Sequence, residues 1–334
     1  MKGRAALLPV VTAALLSLVS LVLAGCSAAT ATSAGSTAVA SPASPVPSAS
    51  AASAVPVSSS PATSSHRPAA TTAARTQATF SAIVTAGGVR QWLHCAGPGP
   101  LTLVVVPGLD AAATTWSPVL GQLQAIVRTC IYDRPGIGAS PARPDPRQIV
   151  DAGLLAGELW ALLQAAGQRG PYLVLGHSFG GLVARAFVAE HRSAVRGVLL
   201  AESVSPFDPA SGRYWTEAGH QVDLTASSVA TDGGPALGPV PLLVLSASRP
   251  DEDHLGGPTY GQPTWMTALW IRQQAGDPSL SSASIHVIAT SGHVLQQDDP
   301  PAVVESVREL VTAVRTGQRL DCDGPWRAVA ATCS

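Results

Sequence analysis

Pro171-Tyr172-Leu173-Val174-Leu175-Gly176-His177-Ser178-Phe179-Gly180-Gly181-Leu182-Val183-Ala184-Arg185-Ala186-Phe187-Val188-Ala189-Glu190 is the stretch that decides the fold. Its first five residues are a short apolar run of strand length, and residues 182–190 read as a helix. Between the two stands Gly-x-Ser-x-Gly. The bare pattern is a weak signal, but wedged between strand and helix it reads as a nucleophile elbow. The glycines allow a turn sharp enough to present Ser178 at the sheet's edge, beside a helix N-terminus. A serine hydroxyl is a poor nucleophile near neutral pH, so this reading demands a base within hydrogen-bond reach.

Outward from this turn, strand-like and helix-like segments alternate from Phe80 onward, the signature of an α/β sheet. Residues 91–95, 101–106 and 129–132 read as strands, and the second is apolar enough to be a central parallel strand. Residues 151–167 read as an amphipathic helix, with Leu154, Leu155, Leu159, Leu162 and Leu163 on one side and Gly167 as its stop. Strands are expected again at 195–201, 240–246 and 285–289, with a helical stretch around 265–275. The closing helix, 301–317, carries Val303, Val304, Val307, Leu310, Val311 and Val314 at helical spacing, a stripe that belongs to the core. Residues 205–239 break the rhythm with many Pro and Gly around Tyr214 and Trp215. An insertion there would sit over Ser178 as a small cap.

The ends of the chain are of a different kind. Residues 1–25 start with Lys2 and Arg4, continue as an apolar run and end in Leu23-Ala24-Gly25, the order of an export signal. Cys26 follows directly, as in the bacterial lipobox that this junction resembles. The resemblance implies a diacylated Cys26 as the mature N-terminus and anchorage to the outer face of the bacterial cell membrane. An ordinary signal peptide and a single membrane span are the alternatives. Residues 26–79 are dominated by Ala, Ser, Thr and Pro and cannot bury enough surface to offset the entropy of ordering, so they read as a tether.

The formal net charge of −1, with no basic run in the folded part, argues against nucleic acid as a partner. Beyond Cys26 there are Cys95, Cys130, Cys322 and Cys333, an even set that in an exported chain points to disulfides. Of three possible pairings, Cys95–Cys130, joining two expected strands, and Cys322–Cys333, closing a C-terminal extension over 318–334, are preferred, with buried free thiols as the alternative. No Cys-x-x-Cys or His-rich spacing supports a metal site, and no cofactor is called for.

Three landmarks in order give the chain its family resemblance. Val106-Pro107-Gly108-Leu109 stands where an oxyanion-loop His-Gly usually sits. Tyr132-Asp133-Arg134-Pro135-Gly136-Ile137-Gly138-Ala139-Ser140 resembles an Asp-Arg-x-Gly-x-Gly-x-Ser turn. Gly176–Gly181 is followed at the proper remove by Ser291-Gly292-His293. Over about 80–317 the chain resembles the α/β-hydrolases, in the lid-bearing group of bacterial esterases, prolyl-aminopeptidase-like and cofactor-free haloperoxidase-like enzymes. The resemblance implies a mostly parallel twisted sheet with helices on both faces and a small cap at about 205–239. It also implies acyl transfer to water by a serine triad.

In that frame Ser178 is the nucleophile and His293, in a loop after the last strand, is the base. His286 competes, but lies within an alternating strand and suits a structural or solvent-facing role. His177 adjoins the nucleophile without being the base, and His254 is a loop residue. The acid is Glu202, at the exit of the apolar run Gly197-Val198-Leu199-Leu200-Ala201, or Asp251 or Asp253 in the loop after the next strand. Glu202 is preferred, because a carboxylate leaving a buried strand needs a partner such as an imidazole. The oxyanion hole would use the backbone amides of Phe179 and Leu109. Pro107 in place of the usual His means that the loop must be anchored differently, since proline has no amide hydrogen. Asp133 and Arg134 read as a turn that braces the sheet edge. A serine at 178 argues against epoxide opening and halide displacement, which use an aspartate nucleophile. What remains is hydrolysis of a small or lipophilic carboxylic ester, with amide hydrolysis and perhydrolysis as alternatives on the same triad. A non-catalytic binding lipoprotein is the alternative from another class.

Overall fold

The computed structural model describes residues 78–204, 214–232, 237–249, 271–323, 329 and 332–334. The leader, the tether up to residue 77, Cys26 and the first part of the insertion therefore lie outside the described residues, as do Asp251, Asp253 and His254. Among the described residues no helix is long and apolar enough to cross a membrane.

In chain order the strands are β1 (Phe80–Ala86), β2 (Val89–Ala96), β3 (Thr102–Val106), β4 (Arg128–Tyr132), β5 (Tyr172–His177), β6 (Val195–Ala201), β7 (Tyr214–Glu217), β8 (His220–Asp223), β9 (Leu242–Ala247), β10 (Ser284–Ala289) and β11 (Thr332–Cys333). Nine of them form one sheet in the order β1-β2-β4-β3-β5-β6-β9-β10-β11, while β7 and β8 pair as a separate hairpin. From β4 to β10 every pairing is parallel, and antiparallel partners close both edges. The longer helices are α1 (Ser117–Ile126), α2 (Ala152–Ala165), α3 (Phe179–Glu190), α4 (Leu224–Asp232) and α5 (Pro300–Thr316).

Side chains alternate across the central strands, so each strand feeds two cores. Val104, Val174 and Val244 pack with α2 and α3 on one face. Leu103, Leu173 and Leu243 pack with α1 and α5 on the other. The valine and leucine stripe of α5 is buried at Val303, Val307 and Leu310, as its spacing predicts. Asp151 caps α2 by accepting from the Leu154 amide, and Gly317 ends α5 in the left-handed region at φ 72°.

Several elements are additions to the sequence reading. Strand β1 forms a hairpin with β2, and β11 brings the C-terminal tail onto β10. Of the helical stretch expected around 265–275, residues 271–276 are described and helical. Both disulfides form. Cys95–Cys130 staples directly opposed residues of β2 and β4, and Cys322–Cys333 latches the tail that ends in β11. The insertion between β6 and β9 contains the β7–β8 hairpin and α4, which packs on α2 and α3.

Candidate active site

Strand β5 runs straight into α3 through Ser178, and the turn is tighter than loop geometry alone would need. A side chain at Gly176 would meet the Gly180 carbonyl at 2.6 Å and the Ala184 methyl at 2.7 Å. One at Gly180 would collide with the carbonyl oxygens of Val106 and Pro107. The glycines therefore let two backbones touch, whereas the strained conformation is held by the serine itself, at φ 52°. Hydrogen bonds fix it there: the Ser178 amide donates to Ala201 O at 3.1 Å, and its carbonyl accepts from Gly181 and Val204.

Glu202 and His293 arrive by the same logic, each just beyond the C-terminal end of a parallel strand. Glu202 follows β6, is fully buried, and also holds a positive φ, 45°. Its Oε1 accepts from the Ala247 amide at 2.7 Å, and its Oε2 lies 3.3 Å from His293 Nδ1. A carboxylate can only accept, so Nδ1 carries the proton and Nε2 presents its lone pair. That Nε2 lies 3.0 Å from Ser178 Oγ. The structure thus brings Ser178, His293 and Glu202 into one hydrogen-bonded chain.

The other histidines have structural partners. His286 is buried, with Nε2 2.8 Å from Ser246 Oγ, and burial pushes its pKa down while Glu202 pulls it up. His177 holds the loop of His293: its Nε2–H donates to the carbonyl oxygen of His293 at 2.9 Å. Its ring stands edge-on to Trp116 and is buried, so desolvation, helped by the neighbouring His293, brings its pKa down to about 3. This clamp went unread in the sequence, because a histidine beside the elbow serine has no spacing signal for its function.

Beside Ser178 lies the loop Pro107-Gly108-Leu109-Asp110, with Gly108 packed against Ser178 and His177. Among the described residues no hydrogen bond uses the Leu109 amide. Phe179 opens α3, so its amide belongs to the helix's first turn and is also available. The anchoring that Pro107 cannot supply comes from Arg134. Its Nη1 donates to Pro107 O at 2.8 Å and its Nη2 to Gly108 O. Asp133 braces the turn as expected, accepting from the amides of Ala113 at 2.6 Å and Ala139 at 2.8 Å. Arg134 is buried, which disfavours its charge, but Glu217 lies against it with Oε2 at 2.8 Å from Nε and Oε1 at 2.6 Å from Nη2. The carboxylate more than offsets burial and holds the guanidinium above its ordinary pKa.

Of the aromatic residues singled out in the sequence, Trp215 is half-buried and edge-on to Phe179 at 6.3 Å. Tyr214 is exposed, and Trp265 and Trp270 lie outside the described residues.

These features belong to a known class. Residues 102–226 match the family model described as the α/β hydrolase fold. Among solved structures, a carboxylesterase of Bacillus subtilis superposes at TM-score 0.50 and 14% identity over 72% of this chain and 93% of that one. An esterase from Thermogutta terrifontis does so at TM-score 0.50 and 19% identity, over 71% of this chain and 99% of that one. Among curated relatives, 107 residues are 36% identical to an uncharacterised vacuolar membrane protein of Saccharomyces cerevisiae, 31% of this chain and 16% of that protein. A further 34% identity over 110 residues links it to an α/β-hydrolase superfamily protein of Gibberella zeae, 31% of this chain and 33% of that protein. The chain therefore spans a small part of the relatives' own length. The sheet order, the strand–turn–helix at Ser178 and the family match over residues 102–226 give this chain the α/β-hydrolase fold.

Proposed function

We propose that this protein is a serine hydrolase that cleaves a small or lipophilic carboxylic ester through an acyl-enzyme. The observation that carries the reading is the continuous chain Ser178 Oγ, His293 Nε2, His293 Nδ1, Glu202 Oε2, with its two links of 3.0 and 3.3 Å. Nε2 takes the proton from Oγ as the hydroxyl attacks the ester carbonyl, and Glu202 stabilises the imidazolium that results. The carbonyl oxygen becomes an oxyanion facing the amides of Leu109 and Phe179. Collapse of the tetrahedral intermediate breaks the bond to the alcohol oxygen, which leaves with the proton from Nε2. Water then attacks the acyl-enzyme with His293 as base, the carboxylic acid leaves, and Ser178 Oγ regains its proton.

The names of the two solved neighbours, a carboxylesterase and an esterase, favour an ester over an amide or a peracid. The test is hydrolysis of p-nitrophenyl acetate and its longer-chain homologues by the full chain and by Ser178→Ala. Turnover in the parent with none in the variant supports the reading; equal background rates in both overturn it.

The leader ending in Leu23-Ala24-Gly25-Cys26 supports a protein exported and held at the outer face of a bacterial membrane by lipid on Cys26. Metabolic labelling with an alkyne fatty acid, with Cys26→Ala beside it, tests the anchor. Label that persists in the variant contradicts it.

A further inference from the structure

Four non-glycine residues in the described structure hold a positive φ: Asp110 at 50°, Ser178 at 52°, Glu202 at 45° and Ala218 at 47°. Such backbone costs free energy and persists only where surroundings enforce it. Three of the four belong to the site built around Ser178. The fourth, Ala218, sits in the turn of the β7–β8 hairpin, more than a hundred residues from the loop it touches.

The hairpin and the loop grip each other. The Ala218 amide donates to Asp110 Oδ1 at 2.7 Å, and the Asp110 amide donates to Glu217 Oε1 at 3.0 Å. Glu217 in turn forks onto Arg134, whose remaining donors hold the carbonyls of Pro107 and Gly108. Peptide units are planar and trans, so a carbonyl and the amide that follows it point opposite ways. Drawing Gly108 O back toward Arg134 therefore aims the Leu109 N–H away from Arg134, while Gly108 itself lies against Ser178. Fixing the Asp110 amide on Glu217 pins the next unit as well. The guanidinium also lies over the Phe179 ring, 5.6 Å from its centroid, which ties the second amide to the same group.

We infer that Glu217 and the Ala218 turn are positioning elements of the oxyanion hole, so that the hairpin of the insertion between β6 and β9 orients the Leu109 amide. The inference rests on the serine-hydrolase reading. It predicts that disturbing the clasp lowers kcat and spares KM, because an oxyanion donor acts on charge present only in the transition state.

Breaking a buried ion pair at Glu217 also destabilises the fold, so the decisive variants are at Asp110, which is exposed. Asp110→Gly keeps access to positive φ and deletes the bond to Ala218. Asp110→Asn keeps both the conformation and an accepting oxygen. With p-nitrophenyl acetate and the full chain, Asp110→Gly should lower kcat by about tenfold and Glu217→Gln by about a hundredfold. KM should change by less than about threefold, and the midpoint of the pH–rate profile should stay put, because His293 and Glu202 are untouched. Asp110→Asn should recover most of the kcat lost in Asp110→Gly. Full kcat in folded Asp110→Gly and Glu217→Gln, or a loss confined to KM, overturns the inference while the hydrolase reading stands. A parent that neither turns over ester nor reacts with a fluorophosphonate overturns both.

Discussion

The two sides of Ser178 are built by different means. On the base side, Glu202 and His293 each stand just past the end of a parallel strand, and the sheet itself delivers them. On the side proposed for the oxyanion, the loop 107–110 is held by Arg134, 26 and 27 residues away, and by Glu217 and Ala218, more than a hundred away. One half is placed by the strand ends; the other is a tertiary clamp of side chains from distant parts of the sequence. On the proposed reading, the chain would carry its triad through the sheet and still depend on its insertion to orient the oxyanion donors.

The contrast predicts a hierarchy of effects. Ser178→Ala or His293→Ala should lower kcat by about 10⁴–10⁶-fold, and Glu202→Gln by about 10³–10⁴-fold, measured on a p-nitrophenyl ester. Asp251→Asn should leave kcat within about threefold of the parent; the opposite result would move the acid to that loop. The clamp variants, at about ten- to a hundredfold, fall below the triad, and equal losses on both sides would erase the distinction.

Acidity probes the base side. His177 is neutral when folded, with its pKa down to about 3, and takes a proton readily once unfolded, at its ordinary value near 6.5. The unfolded chain thus binds more protons across this window. His177 contributes stability that is fully present above pH 6.5 and is lost progressively as pH falls toward 3, by about 3–5 kcal/mol in all. His177→Gln should flatten the fall of thermal midpoint with acid over that range, and an unchanged slope would contradict the clamp on His293.

The two disulfides give the smallest contrast. Cys95–Cys130, 35 residues apart, supports the strand that leads to Arg134, and Cys322–Cys333, 11 apart, latches the tail beside the strand that leads to His293. The chain-entropy estimate gives about 4 kcal/mol for the first loop and about 3 for the second. Denaturant titrations of the paired Cys→Ala variants should rank them in that order.

This division also marks what could be read from sequence. The elbow is legible because its apolar strand, its small residues and its helix are contiguous, so one window contains the whole constraint. His293 and Glu202 are legible because residues at strand exits inherit their position from the sheet. Arg134 could be read as a brace but not assigned its carbonyls, since that needs the return of a hairpin whose sequence, Tyr214 to Asp223, has little to set it apart. The strands β1 and β11 escaped for a related reason. They are edge strands, half-exposed or two residues long, and pairing defines them more than apolar content. The elbow glycines serve close approach more than turn freedom: Gly180 admits the backbone at 106–107, and Gly176 admits the first turn of α3 at Gly180 and Ala184.

An activated Ser178 is read out by intact-mass analysis of the full chain after exposure to a fluorophosphonate, with Ser178→Ala beside it. A single phosphonyl added to the parent and none to the variant is the expected result. An oxidised, folded parent that stays unmodified, or a variant that labels equally, would contradict it.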